Sequence, residues 1–397
     1  MSRGPAKRMN AVAALASRPA GAKPSVCFVA HNAYPVMARH REIAFAGGAE
    51  VQQCLIAREL ANRGHRVTMI CTDFGQTEGE EIDGVRQLRM YAPDAGIPLL
   101  RFVHPRLTSL WAAMTRADAD VYYHRTRGMT IAIVAAFCRL HRRSSVYAAA
   151  HDADFNVGPA ELRHWRDRVL FRWGVRRVDR IVVQSERQLE MCRQRYRRDP
   201  SVIRSGYAHR GRPSTHAGHI LWVATAKPYK RPHLFLQLAA RLPEYRFRLV
   251  GGPGNGTEER RYFDDLVAQS RQLANVEMTG FVPYADVEQH FDGAAIFVNT
   301  SIGEGFPNTF LQAWSRGVPT VSFFDPKSTI DGHPVGRVVR SIDEMALTVA
   351  ELKRAEDTWR AEGRIARAAV EQRHSLHSVG EAYERLLKDL VPCEARA

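Results

Sequence analysis

No apolar run in the 397-residue chain approaches the roughly 20 residues needed to cross a bilayer, so no membrane-spanning helix is expected. Paired cysteine spacing is also missing. Cys27, Cys54, Cys71, Cys138, Cys192 and Cys393 are scattered, and the first four sit in apolar stretches such as SVCFVA and TMICT. That pattern argues against a zinc site or a disulfide framework and predicts free, buried thiols. Residues 1–24 contain no aromatic side chain, and their only apolar centre, AVAALA, is short for a secretory signal. A disordered basic tail and a cytoplasmic protein are therefore expected.

Hydrophobic residues make up 45% and charged residues 25% of the chain, the balance of a soluble globular protein. The length suits two domains, each with its own core. The formal charge of +15 has a focus between residues 161 and 200. There Arg163, Arg166, Arg168, Arg172, Arg176, Arg177, Arg180, Arg187, Arg193, Arg195, Arg197 and Arg198 interleave with Leu162, Trp165, Val169, Leu170, Phe171 and Trp173. Such an arginine-rich amphipathic segment suits anionic lipid, phosphate or nucleic acid. It also fits a solvated face partly paired to Glu161, Asp167, Asp179, Glu186 and Glu190. No nucleic-acid-binding module accompanies the charge, so nucleic acid is not the expected partner.

Short β-branched runs alternate with helical periods through the first half: SVCFVA (25–30), RVTMICT (66–72), DVYYH (120–124), SVYAAA (145–150) and RIVVQS (180–185). After a Gly, Ser, Pro and His-rich stretch at 206–218 the pattern restarts with HILWVAT (219–225), RFRLVG (246–251), VEMTG (276–280), AAIFVNT (294–300) and VPTVSF (318–323). Strands separated by helices imply parallel sheets. The expected fold is α/β, with two doubly wound Rossmann-like domains facing across a cleft: 25–205, a linker at 206–218, and 219–375. A last helix over 376–391, with a tail at 392–397, suits docking on either half. Ligands of such sheets bind at the carboxyl ends of the strands, so the cleft is the expected site.

Most informative is GEGFPNTFLQAW (303–314), directly after the strand AAIFVNT. Gly305 permits close approach to a ligand, and Pro307 suits the first turn of a helix running through Phe310, Leu311 and Trp314. Gly317 and Pro319 mark its end. The amides of Asn308 and Thr309 at its start form an anion site. A carboxylate, Glu304, beside an anion site makes electrostatic sense if it contacts something neutral, such as sugar hydroxyls. The run looks built for a sugar attached to a phosphate.

This stretch, with EGFPNTF as its most specific part, resembles the nucleotide-sugar signature of family 4 glycosyltransferases of GT-B fold, in which two glutamates stand eight residues apart; here the second position is Gln312. The resemblance, which runs from about residue 25 to 390, implies that Glu304 contacts the donor sugar, with Gly305 and Phe306 beside it, and that the residue at 312 hydrogen-bonds the ribose. Gln312 donates and accepts such bonds but brings no charge. VATAKPYKRP (223–232) matches the family's basic pair for the diphosphate: Lys230 fits its lysine, Ala224-Thr225 stand where glycine-arginine is usual, and Lys227 and Arg231 are candidates to supply charge. FAGGAEVQQCLIARELANRGHRV (45–67) resembles the family's glycine-rich entry to the first helix, with Gly47 and Gly48 letting amides approach phosphate. It lacks G-x-G-x-x-G spacing, which disfavours a dinucleotide cofactor, and a plain tight turn is the alternative reading.

AAAHDADFN (148–156) places His151 and Asp152 past a strand end, where the family carries a functional histidine. GFVPYADVEQHF (280–291) resembles the segment whose backbone near Phe281 and Val282 cradles the base. Asp-x-Asp triplets occur at 118–120 and 152–154, but two parallel-sheet halves with basic phosphate ligands point away from a bound metal. The chain is thus expected to be a retaining, metal-independent glycosyltransferase without a cofactor, moving a sugar from a nucleotide-sugar donor to a glycan or lipid-diphosphate acceptor at the inner face of an anionic membrane. The alternative readings are a nucleotide-sugar epimerase of the same shape and a non-catalytic sugar-nucleotide-binding relic.

Overall fold

The structure is a computed structural model and describes residues 22–41, 47–97, 102–208, 211–254 and 256–391. Residues 1–21 of the tail expected over 1–24, and the tail at 392–397 with Cys393, lie outside the described residues, as do residues 42–44, residues 45–46 of the glycine-rich entry and 209–210 of the linker.

The first half builds β1 (Val26–Val29), β2 (Val67–Cys71), β3 (Glu81–Ile82), β4 (Val85–Arg89), β5 (Val121–Arg125), β6 (Ser144–Ala148), β7 (Arg180–Val183) and β8 (Ser201–Val202). They form one sheet in the order β3-β4-β2-β1-β5-β6-β7-β8, parallel except for the β3/β4 pair. The second half supplies β9 (Ile220–Val223), β10 (Phe247–Val250), β11 (Val276–Gly280), β12 (Ile296–Asn299), β13 (Thr320–Ser322), a small hairpin of β14 (Thr329–Ile330) and β15 (His333–Pro334), and β16 (Arg337–Val338). Its main sheet runs β11-β10-β9-β12-β13-β16, all parallel. Strand order reverses between β1 and β5 in one sheet and between β9 and β12 in the other, and a crevice opens at each such switch point.

Apolar residues saturate the central strands because both sheet faces are covered by helices. β1, β5, β9 and β12 are buried along their whole length. Each sheet separates two core clusters, one per face. Cys27, Cys54, Cys71, Cys138 and Cys192 are free and buried within these cores. Strand β4 is absent from the sequence-based expectation because Arg86, Gln87 and Arg89 make it read as polar. Gln87 is nevertheless buried, its side-chain amide donating to the Val85 carbonyl at 2.8 Å.

The chain crosses between the halves twice, and the two crossings are bonded to each other. The Tyr207 amide donates to the His374 carbonyl at 2.8 Å and the Leu376 amide to the Tyr207 carbonyl at 3.2 Å. His374 Nδ1–H donates to the Ser205 carbonyl at 2.8 Å, and burial holds the ring neutral, its pKa lowered to about 4. After the second crossing the helix Leu376–Leu390 returns to the first half. Val379, Tyr383, Leu386 and Leu387 join the core around β1 and the helix Gly48–Asn62.

Glu384 of that terminal helix gathers Lys23 Nζ at 2.7 Å, Arg63 Nη1 at 2.9 Å and His65 Nε2 at 3.2 Å. The Lys23 ammonium, and after it Arg63 and His65, hold the carboxyl well below the ordinary carboxylate range, at about 2, against an opposing push from burial. A depressed carboxylate pKa stabilises the fold above the unfolded value, and that stability is lost as pH falls through the folded value. Chemical denaturation measured from pH 6 downward is therefore expected to show a loss of stability between about pH 4.5 and 2 that Glu384→Gln removes. An unchanged acid limb in that variant would show that the cluster does not secure the helix.

Candidate functional site

The loops after β9 and β12 meet at the switch point of the second sheet. After β9 the chain makes a turn at Pro228–Lys230, and the helix Pro232–Arg241 then starts from Arg231 at φ 51°. After β12, residues 300–307 lead into the helix Asn308–Ser315. Three hydrogen bonds tie these loops: Trp222 Nε1–H to Thr300 Oγ1 at 2.9 Å, the Thr300 hydroxyl to the Lys230 carbonyl at 2.6 Å, and Arg231 Nε–H to the Thr300 carbonyl at 2.7 Å. On this frame Lys230 Nζ and Glu304 Oε1 form a direct ion pair, and the Ser301 hydroxyl donates to the same carboxylate oxygen at 2.6 Å. Side-chain exposure is 16% for Lys230 and 11% for Glu304, so both charges are largely desolvated yet keep some contact with solvent.

Gly305 carries this pair up to the first half. A Cβ at Gly305 would lie 2.2 Å from the Ala150 carbonyl oxygen and 3.2 Å from the His151 Cα, a separation that only glycine tolerates. His151 opens the short turn Asp152–Phe155, and its Nδ1 accepts the Ala153 amide at 3.0 Å. The neutral ring therefore keeps its proton on Nε2, as a donor. Asp154 supports the turn by accepting the Ala150 and His151 amides at 2.7 and 3.1 Å. It is fully buried, and that burial raises its pKa against the opposing pull of Arg127, whose guanidinium lies 3.3 Å away.

Arg127 follows β5, on a bend where Thr126 takes φ 103° and Gly128 φ 148°. Positive φ at a β-branched residue is a strained conformation of the kind that collects at functional sites. Arg127 Nη1 is buried with no hydrogen-bond partner among the described residues.

A second contact between the halves lies at the two helix starts. Asn308 Nδ2–H donates to the Gly48 carbonyl at 2.9 Å and Gln52 Nε2–H to Asn308 Oδ1 at 3.0 Å. Gln52 also exchanges two hydrogen bonds of 2.9 Å with the backbone of Gly206. Gly47 caps the helix Gly48–Asn62, so Gly47 and Gly48 both sit at this seam. Pro307 stands at the cap of the second helix, one position before the first turn that the sequence suggests. It leaves the Asn308 and Thr309 amides without intrahelical acceptors.

Several expected ligand residues are engaged within the chain. The ring of Phe306 stacks on His374 at 4.8 Å and meets Trp314 edge-on at 5.9 Å, so it packs against the second crossing. Gln312 is 3% exposed, and its Nε2–H donates to Glu288 Oε1 at 2.9 Å. Glu288 Oε2 in turn accepts the Tyr207 hydroxyl at 2.6 Å and Arg316 Nη2 at 2.9 Å. Lys227 Nζ lies 3.7 Å from Glu259. Arg231 stacks on Phe323 at 4.7 Å besides binding Thr300. Phe281 and Val282 follow β11, with Phe281 close against Gly252, where a Cβ would come within 2.7 Å of its own.

Gly251, at φ 151° with no room for a Cβ beside the Ala224 carbonyl, draws the loop after β10 in next to that after β9. The run GGPGNG (251–256) was the readable signal for this loop, absent from the expected site. Ser301 and Arg127 carried no comparable signal.

The acidic triplets have internal partners. Asp120 accepts the Ser25 amide and hydroxyl at 2.8 Å, and Asp118 pairs with Arg143 at 2.6 Å. Asp152 binds Gln188 and Arg187 at 3.1 Å.

Residues 46–209 match the profile described as Glycosyltransferase Family 4, and residues 217–354 match Glycosyl transferases group 1. A D-inositol 3-phosphate glycosyltransferase of Mycobacterium sp. (strain KMS) is 26% identical over 199 residues, 42% of this chain and 45% of that protein. One from Geodermatophilus obscurus is 34% identical over 115 residues, 26% of this chain and 25% of the relative. The alignments thus span less than half the length of these curated relatives.

Among solved structures, sucrose-phosphate synthase from Thermosynechococcus elongatus superposes with a TM-score of 0.76 at 16% identity, covering 94% of this chain and all of that one (100% of its length). Anabaena HepE in complex with UDP-glucose gives 0.70 at 17% identity, covering 92% and 100%. At such identities the likeness concerns the fold. With a Glycosyltransferase Family 4 profile over 46–209, a Glycosyl transferases group 1 profile over 217–354 and neighbours of the same fold over nearly its whole length, the chain carries the two domains of a glycosyltransferase of GT-B fold.

Proposed function

We propose that the chain transfers a sugar from a nucleoside diphosphate donor to a glycan or lipid-linked acceptor in polysaccharide biosynthesis, with retention at the anomeric carbon and without a metal. The observation that carries this reading is the Lys230–Glu304 pair at neighbouring strand ends, brought up to His151 of the opposite half by Gly305. Lys230, together with the Asn308 and Thr309 amides, stabilises the charge that develops on the leaving diphosphate. Glu304, fixed by Ser301, accepts hydrogen bonds from the sugar hydroxyls, and His151 Nε2–H donates to the sugar or acceptor. Arg127 supplies the acceptor side with an unfilled donor.

The engagement of both acidic triplets with amides, hydroxyls and arginines supports leaving-group stabilisation by cations and helix amides in place of a metal. Rotation about the two bonded crossings closes the cleft and keeps water from the donor. The acceptor is reached from an anionic membrane to which the protein binds peripherally.

Screening UDP-, GDP- and ADP-sugars by thermal shift identifies the donor, and release of free nucleoside diphosphate on acceptor addition then measures transfer. Glu304→Ala and Lys230→Ala are each expected to lower kcat by about 100-fold, the scale for removing one group that stabilises transition-state charge, while circular dichroism and melting stay normal. Near-normal transfer by a folded Glu304→Ala protein would remove the central assignment. Gly305→Ala should force the Ala150 contact open and cost on the order of tenfold or more in kcat/KM through misplacement, with the isolated melting transition little changed. Preincubation with EDTA should leave transfer intact; a loss restored by a divalent cation would overturn the metal-free mechanism.

A further inference from the structure

The helix Trp165–Arg177 lies on the outer face of the first half, and its two sides differ sharply. Inward, Phe171 and Val175 are fully buried, with Phe171 edge-on to Tyr147 at 5.7 Å. Gly174 lets the helix nest against the helix Thr130–His141: a Cβ there would sit 2.7 Å from the Ala132 amide nitrogen. This close seat fixes the rotation of the helix about its axis. Outward, Trp165, Val169 and Trp173, each four residues apart, are 71%, 53% and 40% exposed. They form one apolar stripe, because residues at that spacing stack on a single helix face.

Arginines frame the stripe. From 163 to 177 the sequence holds six arginines and one acid, Asp167. Arg168 and Arg172 are spent on the backbone, donating to the Leu162 carbonyl at 2.7 Å and the Val157 carbonyl at 2.8 Å. Arg166 pairs with Asp167 at 3.1 Å. Arg163, Arg176 and Arg177 are exposed, and the Arg177 guanidinium lies 6.0 Å from the Trp173 ring centroid. Two tryptophans and a valine facing water beside cations suit a polar, negatively charged surface with an apolar layer just beneath it. Indole rings settle at the headgroup level of a bilayer, and arginine meets its phosphates.

We propose that this face is an interfacial anchor, in which Trp165, Val169 and Trp173 insert at the headgroup level of an anionic bilayer while Arg163, Arg176 and Arg177 bind lipid phosphate. The inference deepens the membrane-side reading given above and rests on it only for the direction of approach. Because β6 and β7 are parallel, the helix between them starts at the sheet edge that carries His151 and runs away from it. An anchored Trp165 end therefore sets the lipid surface beside the rim of the cleft.

The full chain is sedimented with phosphatidylcholine vesicles with and without phosphatidylglycerol. Binding is expected only with the anionic vesicles, is released by salt, and is accompanied by a blue shift of tryptophan emission. The double variants Trp165→Ala with Trp173→Ala, and Arg176→Glu with Arg177→Glu, should each weaken binding by about tenfold or more. The milder Trp165→Phe with Trp173→Phe protein should bind yet lose the emission shift, which covers the case in which the alanine variants do not fold. Equal recovery with neutral vesicles, undiminished binding by both folded double variants, or an emission shift that survives in the Phe variant overturns the proposal. So does competition for this face by duplex DNA at the same salt. Melting shifts induced by UDP, GDP and ADP on the same proteins separate the readings: the shift the parent shows persists in the variants when only the anchor fails, and all three are missing from the parent when the donor-site reading fails.

Discussion

The ion pair of Lys230 and Glu304 exists because β9 and β12 are hydrogen-bonded neighbours, although 74 residues separate the two side chains. A parallel sheet whose strand order reverses at this point delivers both loop starts to one edge. There, little solvent remains to screen the charges and the amide dipoles of the following helix point outward. A lysine and a carboxylate so placed hold each other in register. Ser301 and Thr300 restrict the two loops further, so the geometry resides in the scaffold more than in the paired side chains themselves.

The opposing half contributes through close approach. Gly305 lies against Ala150 with no allowance for a side chain, and Asn308 and Gln52 join the two helix starts by direct hydrogen bonds. These contacts couple the position of His151 to that of Glu304. The candidate site is therefore composite: neither sheet holds it alone, and its dimensions depend on how the halves meet.

Much of the fold was legible in the sequence because buried parallel strands are short, nearly continuous apolar runs separated by helical periods. The runs around Val26, Val67, Val121, Ile220 and Ile296 all announce themselves this way. Strand β4 did not, since Gln87 hides a buried position behind a polar identity. The candidate site was readable as a local pattern in Glu304, Gly305 and Lys230, which the fold brings together. It was obscure where partners come from distant segments. Nothing near Gln312 in the sequence indicates that Glu288 receives its amide, nothing near Phe306 indicates the His374 ring beneath it, and nothing near Glu384 indicates that the terminal helix meets Lys23, Arg63 and His65 of the first half.

Two crossings bonded side by side, at Ser205–Tyr207 and His374–Leu376, resemble the pins of one door. A single tether would let the lobes twist and slide in several directions. A doubled one would confine any such movement to swinging about a common axis, along a single arc that returns the two edges to the same alignment.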